Sequence, residues 1–268
     1  MDLEGKRLLL SGATGGLGRA IAERLAAEGA SLVLSSRKEA ELEQLARNLP
    51  GASDRHAVLV ADLADEGAPQ RIVRDAGDLD GLIANAALPG VGSIEKVSAE
   101  ELTRTVRVNL EAPMLMAREL TPSLIEKGEG HIVFISSLNG KVGTPRTAIY
   151  CATKFGMRGF ALALREDLHP KGVGVSTVLP GFIREAGMFH EAGVKAPPGM
   201  GTTAPAKVGR AVVTAIRRNR SEVEPATLRL RLASGIAYRH PEFAARIQRR
   251  GGAEKIAEDF VAGHAGKR

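Results

Sequence analysis

The chain has 268 residues, 44% of them hydrophobic and 25% charged, the balance of a soluble globular protein with room for one large α/β domain or two small ones. The net charge of +6 is uneven: residues 204–268 hold 14 Lys+Arg against 6 Asp+Glu, and residues 1–203 hold 23 against 25. Aromatics at 3% are too few for base-stacking platforms, so no nucleic-acid partner is expected, and the basic end reads first as a solvated arginine face.

Taken in order, Met1–Arg7 lacks the apolar core of a signal peptide. Arg7-Leu8-Leu9-Leu10 is a short apolar run suited to a strand buried on both faces. It leads into Ser11-Gly12-Ala13-Thr14-Gly15-Gly16-Leu17-Gly18, and a helix begins with Ala20, Ile21, Leu25 and Ala26 on one stripe. Strand, glycine turn and helix form the setting of a phosphate-binding loop, in which free N–H groups and the helix dipole face an anion. A second strand, Ser31–Ser35, ends at Ser36-Arg37, where an NAD-binding loop carries a carboxylate for the ribose 2′-hydroxyl. Arg37 instead suits a 2′-phosphate, so NADP(H) is expected over NAD(H), which stays possible; the plainer reading is an arginine that caps the strand. Helix (39–47) and strand (56–60) follow, then Asp62-Leu63 where an adenine ring can rest, then a fourth strand, 80–84, ending in Asn85-Ala86-Ala87. Ser98, followed by Glu100 and Glu101, reads as the N-cap of a long helical region that contains Asn109 and Pro113. An Asn inside a helix is mildly unfavourable, so it serves either a polar task or as a plain surface amide.

The fifth strand, His131–Ile135, delivers Ser137, and the next helix carries Tyr150 and Lys154, four apart on one face. A phenol titrates at about 10, and an ammonium one turn away is expected to favour the phenolate and lower that value. Ser137 can then polarise a carbonyl beside the phenol. Val173–Leu179 makes a sixth strand ending in Pro180-Gly181, so the alternation predicts a single doubly wound parallel sheet of about seven strands, with ligands at the carboxyl ends. Phe182–Thr203 holds Gly187, Gly193, Pro197, Pro198, Gly199 and Gly201 among Met188, Phe189, Val194 and Met200; it is read equally as a cover over an apolar substrate and as a surface loop. A helix over 205–218 and a short strand at Glu222-Val223 close the main domain, 1–225. Residues 226–268 form a helical extension, with helices over 228–238, 241–250 and 254–261 and apolar Leu228, Leu230, Leu232, Ile236, Phe243, Ile247, Ile256 and Phe260 among arginines. Packing on the domain or completing an oligomer ranks ahead of a weak contact with anionic lipid. One cysteine, Cys151, excludes an internal disulfide, fits a reducing cytoplasm and reads as a small helical residue; the histidines show no metal-ligand spacing, and no run reaches membrane-span length.

Ser11–Gly18, Asp62, Asn85-Ala86, Asn109, Ser137, the Tyr150-x3-Lys154 pair and Pro180-Gly181 together resemble the short-chain dehydrogenase/reductase family, in its short single-domain branch, over residues 5–225. The resemblance implies a Rossmann-type fold and a dinucleotide held by Gly12, Thr14, Gly16, Leu17, Gly18, Arg37, Asp62, Leu63, Asn85, Tyr150, Lys154, Pro180, Gly181 and Ile183. It implies a catalytic set of Asn109, Ser137, Tyr150 and Lys154: Tyr150 as acid/base, Lys154 lowering its pKa and holding the nicotinamide ribose, Ser137 orienting the carbonyl, and Asn109 holding a helix kink and a relay water. Ile183 would contact the carboxamide. The family's N-N-A-G turn is Ala84-Asn85-Ala86-Ala87 here, the first Thr of its glycine motif is Ser11, and Arg184-Glu185 stand where a Thr is usual. The expected function is interconversion of an apolar ketone and its alcohol by a cytoplasmic homodimer or homotetramer, the alternative being a non-catalytic dinucleotide sensor on the same fold. An epimerase or dehydratase of the longer branch is disfavoured by the glycine spacing and by the lack of a large second domain.

Overall fold

The computed structural model describes residues 1–51, 55–197 and 199–264; Pro198 and the last four residues of the basic end lie outside the described residues. The elements run β1 (Arg7–Ser11), α1 (Gly16–Ala27), β2 (Ser31–Ser36), α2 (Glu39–Asn48), β3 (Ala57–Val60), α3 (Ala68–Asp75) and β4 (Gly81–Ala84). They continue with α4 (Ala99–Val106), α5 (Ala112–Lys127), β5 (Gly130–Ile135), α6 (Ala148–Leu168), β6 (Val173–Val178), α7 (Gly187–Glu191), α8 (Pro205–Arg217) and β7 (Glu222–Val223). The helices α9 (Leu228–Arg239), α10 (Pro241–Arg250) and α11 (Ala253–Ala262) complete the described chain.

The strands are near-continuous apolar runs because both faces of the sheet are covered; every residue of β5 and of β6 is buried. All pairs are parallel, in the order β3-β2-β1-β4-β5-β6-β7, a Rossmann-type doubly wound sheet. On one side Ile21 and Leu25 of α1, Leu42 of α2 and Val208 and Val212 of α8 pack with Leu8, Leu10, Leu32 and Leu34. On the other, Ile72 of α3, Met116 and Leu120 of α5 and Met157 of α6 pack with Leu9, Val33, Leu82 and Phe134. The order turns around between β1 and β4, and the divergence of the loops leaving those two strands opens a crevice at their carboxyl ends.

The structure adds α3, where the apolar pattern is too short to announce a helix: its buried residues are only Ala68, Pro69, Ile72 and Val73. Ser98 caps α4 as expected and completes a capping box, its hydroxyl accepting from the Glu101 amide (3.1 Å) while Glu101 accepts from the Ser98 amide (3.2 Å). Between α4 and α5 the chain makes a π-helical turn, Arg107–Glu111, and the residue it inserts swings Asn109 into the protein.

Candidate active site

The glycine loop is built by close approach. A Cβ on Gly18 would lie 2.2 Å from the Gly12 carbonyl oxygen, and one on Gly16 would lie 2.5 Å from the Ala186 Cβ, so only glycine lets α1 start here beneath the segment that follows β6. The loop is pinned to β4. Ser11 Oγ accepts from the amides of Asn85 (3.1 Å) and Ala86 (3.3 Å), and Asn85 Nδ2 donates to the carbonyls of Ser11 (3.2 Å) and Gly12 (3.0 Å). Ser11 therefore keeps a structural task for its hydroxyl, and the Ala84-Asn85-Ala86-Ala87 turn still ties β1 to β4. The cradle suits a dinucleotide pyrophosphate: backbone at van der Waals approach, a helix N-terminus, and no side chain filling the space.

At the far end of the groove, Arg37 and Asp62 leave β2 and β3 side by side. Asp62 Oδ2 accepts from Arg104 Nη2 (2.6 Å) and lies 3.6 Å from Arg37 Nη1, and Oδ1 accepts from the Ala64 amide (2.9 Å). Burial alone would raise the Asp62 carboxyl; the Ala64 amide and the two guanidiniums outweigh it and hold the pKa below the usual range. Arg37 remains 57% exposed over this end, with Lys38 and Arg104 beside it. Arg104 joins the site from α4, forty-two positions away from Asp62; no motif in the sequence marks it.

Ser137, Tyr150 and Lys154 meet at the end of β5. The Ser137 hydroxyl stands by the Tyr150 phenol and favours its ionised form. Lys154, 2% exposed, donates from Nζ to the Ile135 carbonyl (2.9 Å) and stands 5.5 Å from the centre of the Tyr150 ring. Ser136 supports the pair by donating to the Lys154 carbonyl (3.0 Å), a role its buried position in the Ile135-Ser136-Ser137 run did not announce. The electrostatics correct one expectation. Although Tyr150 keeps some exposure to the groove, burial pushes its phenol up to about 12, against the smaller opposing effect of the Ser137 hydroxyl, and no effect of Lys154 offsets it. Burial also pulls Lys154 down to about 8. Helical spacing fixes adjacency and says nothing of dielectric, and here desolvation of the phenol dominates.

Asn109 is no surface amide. It is fully buried and grips the Leu88 backbone, accepting from its N–H (2.7 Å) and donating to its carbonyl (2.9 Å), which fixes the chain beyond Asn85 beside Tyr150. Cys151 is buried against Thr147 Oγ1 (3.1 Å).

One cavity of about 1310 Å³ joins these parts: Gly12, Thr14, Gly16, Leu17, Gly18, Arg37, Asp62, Leu63, Asn85, Ser137, Tyr150, Lys154, Pro180, Gly181 and Ile183 all line it. Asn109 does not line it. The cavity extends under Met188 and Phe189, so the segment after β6 is a wall rather than a detached loop. Phe182 stacks on Phe189 (4.7 Å between centres), Phe189 faces Phe260 of α11 (6.4 Å), and Phe260 meets His264 (4.6 Å). The extension thus splits its apolar residues: Leu230, Ile256 and Phe260 turn inward, while Leu228, Leu232, Ile236, Phe243 and Ile247 stay exposed. The Nε2 of fully buried His264 has no hydrogen-bond partner among the described residues.

A doubly wound parallel sheet with a glycine-cradled groove at the carboxyl ends of its strands is the architecture of a dinucleotide-binding fold. The sequence profile described as short chain dehydrogenase matches residues 6–196. The chain belongs to the short-chain dehydrogenase/reductase family, NAD(P)-dependent enzymes that act on CH–OH groups. It is 36% identical to the ketoacyl reductase HetN of Nostoc sp. over 225 residues, 82% of this chain and 78% of that one. It is 33% identical to the 3-oxoacyl-[acyl-carrier-protein] reductase FabG of Rickettsia conorii over 184 residues, 69% of this chain and 75% of that one. Among solved structures, a short-chain dehydrogenase from Sphingobium yanoikuyae in complex with NADPH superposes with a TM-score of 0.76 at 26% identity, covering 89% of this chain and 95% of that one.

Proposed function

We propose that the protein reduces an apolar ketone to its alcohol with NADPH, and runs the reverse reaction with NADP. The observation that carries this reading is the convergence of Ser137, Tyr150 and Lys154 on the cavity that is continuous with the glycine cradle. When bound, the nicotinamide supplies the hydride that forms the new C–H bond. Ser137 donates a hydrogen bond to the carbonyl oxygen and polarises it. Tyr150, its pKa pushed up to about 12, is protonated at neutral pH and gives its proton to that oxygen as the C=O electron pair moves onto it. Lys154, pulled down to about 8, is still an ammonium at pH 7 and lines the cavity beside Tyr150, where it would hold the nicotinamide ribose. Asn109 holds the Leu88 backbone so that the Tyr150 side of the groove keeps its shape. The Gly12–Gly18 loop holds the pyrophosphate, Asp62 and Leu63 border the adenine, and Pro180, Gly181 and Ile183 border the nicotinamide end.

Arg37, flanked by Lys38 and Arg104, supports a 2′-phosphate and hence NADP(H) over NAD(H), which remains a poorer cofactor. The apolar walls, and the ketoacyl reductase names of two relatives, support a carbonyl carried near an acyl chain. Exposed Phe155 and Leu162 on α6 support a homodimer or homotetramer, and the single cysteine supports a reducing, cytoplasmic setting. The test is NADPH absorbance across ketones of increasing chain length. Turnover that grows with apolar length supports the reading; no oxidation of NADPH by any ketone, with the cofactor bound, defeats it.

A further inference from the structure

Exposed apolar side chains cluster on one face of the extension. Leu228, Leu232 and Ile236 of α9 repeat every four residues, and Phe243 and Ile247 of α10 continue the stripe; all five are more than half exposed. Ile236, Phe243 and Ile247 also line the cavity, so this stripe is the rim of its mouth. Around it stand Arg229, Arg231, Arg239, Arg246, Arg249 and Arg250, all exposed, against the single acid Glu242. Among the described residues only Arg231 reaches a carboxylate, Glu224 at 3.6 Å.

We propose that the α9–α10 face docks on an anionic lipid bilayer and that the cavity takes a long-chain carbonyl compound directly from it. This deepens the reading of the protein as a ketone reductase and rests on it for the substrate. An apolar stripe edged by arginines matches the boundary between acyl chains and anionic headgroups, and the lipid phosphates neutralise guanidiniums that the protein leaves unpaired. A second copy is the poorer occupant, because a two-fold contact would set the same arginines against one another. The cavity opens where the stripe enters the lipid, so an apolar chain passes from bilayer to Phe243 and Ile247 and on toward Tyr150 without crossing water.

The test uses the full chain with vesicles of phosphatidylcholine, alone or mixed with phosphatidylglycerol. Sedimentation should carry the protein down only with the anionic vesicles. L228S/L232S and R246Q/R249Q, which alter no residue of the cavity lining, should each weaken binding by about tenfold or more. Both variants should keep turnover of a short water-soluble ketone and lose the advantage of anionic vesicles in turnover of a long-chain ketone dissolved in them. Binding that ignores headgroup charge, or that both variants retain, overturns the proposal. So does a wild-type oligomer that avoids vesicles and dissociates in L228S/L232S, which would assign the face to a second copy. Failure to reduce any ketone, with vesicle binding intact, defeats the enzymatic reading and leaves the docking surface standing.

Discussion

Replacing Lys154 by Met should stabilise the protein at neutral pH and cease to do so in alkali. Lys154 is buried, and its pKa falls from 10.5 to about 8 on folding. Between those values the unfolded chain binds a proton that the folded chain refuses, so the lysine's contribution to stability improves as pH rises through that window. Below pH 8 the full cost of burying the ammonium is present; the shift corresponds to about 3 kcal/mol. The bond from Nζ to the Ile135 carbonyl is already part of that folded state, and its loss in Lys154→Met returns about 1–2 kcal/mol. The variant should therefore be more stable than the parent by about 1–2 kcal/mol at pH 7, and equal or less stable above pH 10.5. Urea unfolding of the cofactor-free protein and variant across this range is the assay, because every other titrating group cancels in the difference. A stability difference that stays flat from pH 7 to alkali refutes the argument.

Arg37→Ala should reduce kcat/KM for NADPH by about 5- to 30-fold and leave NADH within about twofold, the effect of a charge-assisted contact worth about 1–2 kcal/mol after discounting for exposure and for Asp62; equal losses with both cofactors would contradict a 2′-phosphate site. His131 is buried in β5 against Ser176, and burial holds its pKa at about 3 instead of 6.5, so stability should fall as pH drops through that window, by about 3 kcal/mol at about pH 4. His131→Gln should flatten this acid limb in urea melts, and an unchanged limb would assign the loss elsewhere. Phe189→Ala, with Met188→Ala, should raise KM for a long-chain ketone about tenfold and that of a short ketone little, since the lost contact is worth about 1.5 kcal/mol; equal effects on both would remove Phe189 from the substrate wall.

The sequence revealed what local pattern determines. Apolar runs gave β1, β2, β4, β5 and β6, and Ser98 with Glu101 marked the start of α4, because strand burial and capping are written within a few residues. Long-range assembly left no such mark. Arg104 reaches Asp62 across the fold, and Ser136 reaches the Lys154 carbonyl, through partners that no spacing specifies. The amphipathic stripes of α9 and α11 announced helices, but the same apolar count serves an inward residue such as Phe260 and an outward one such as Leu232. The direction of the Tyr150 shift was also out of reach, since it depends on how much protein surrounds the hydroxyl rather than on the four-residue step to Lys154.

Tyr150→Phe, assayed for NADPH turnover and for NADPH affinity in the same preparation, tests the proton transfer most directly. The substitution removes the phenolic hydroxyl and leaves the ring, so kcat should fall at least about 100-fold while the Kd for NADPH stays within about twofold. A variant that binds NADPH normally and still reduces ketone within about threefold of the parent rate would show that the proton comes from another group.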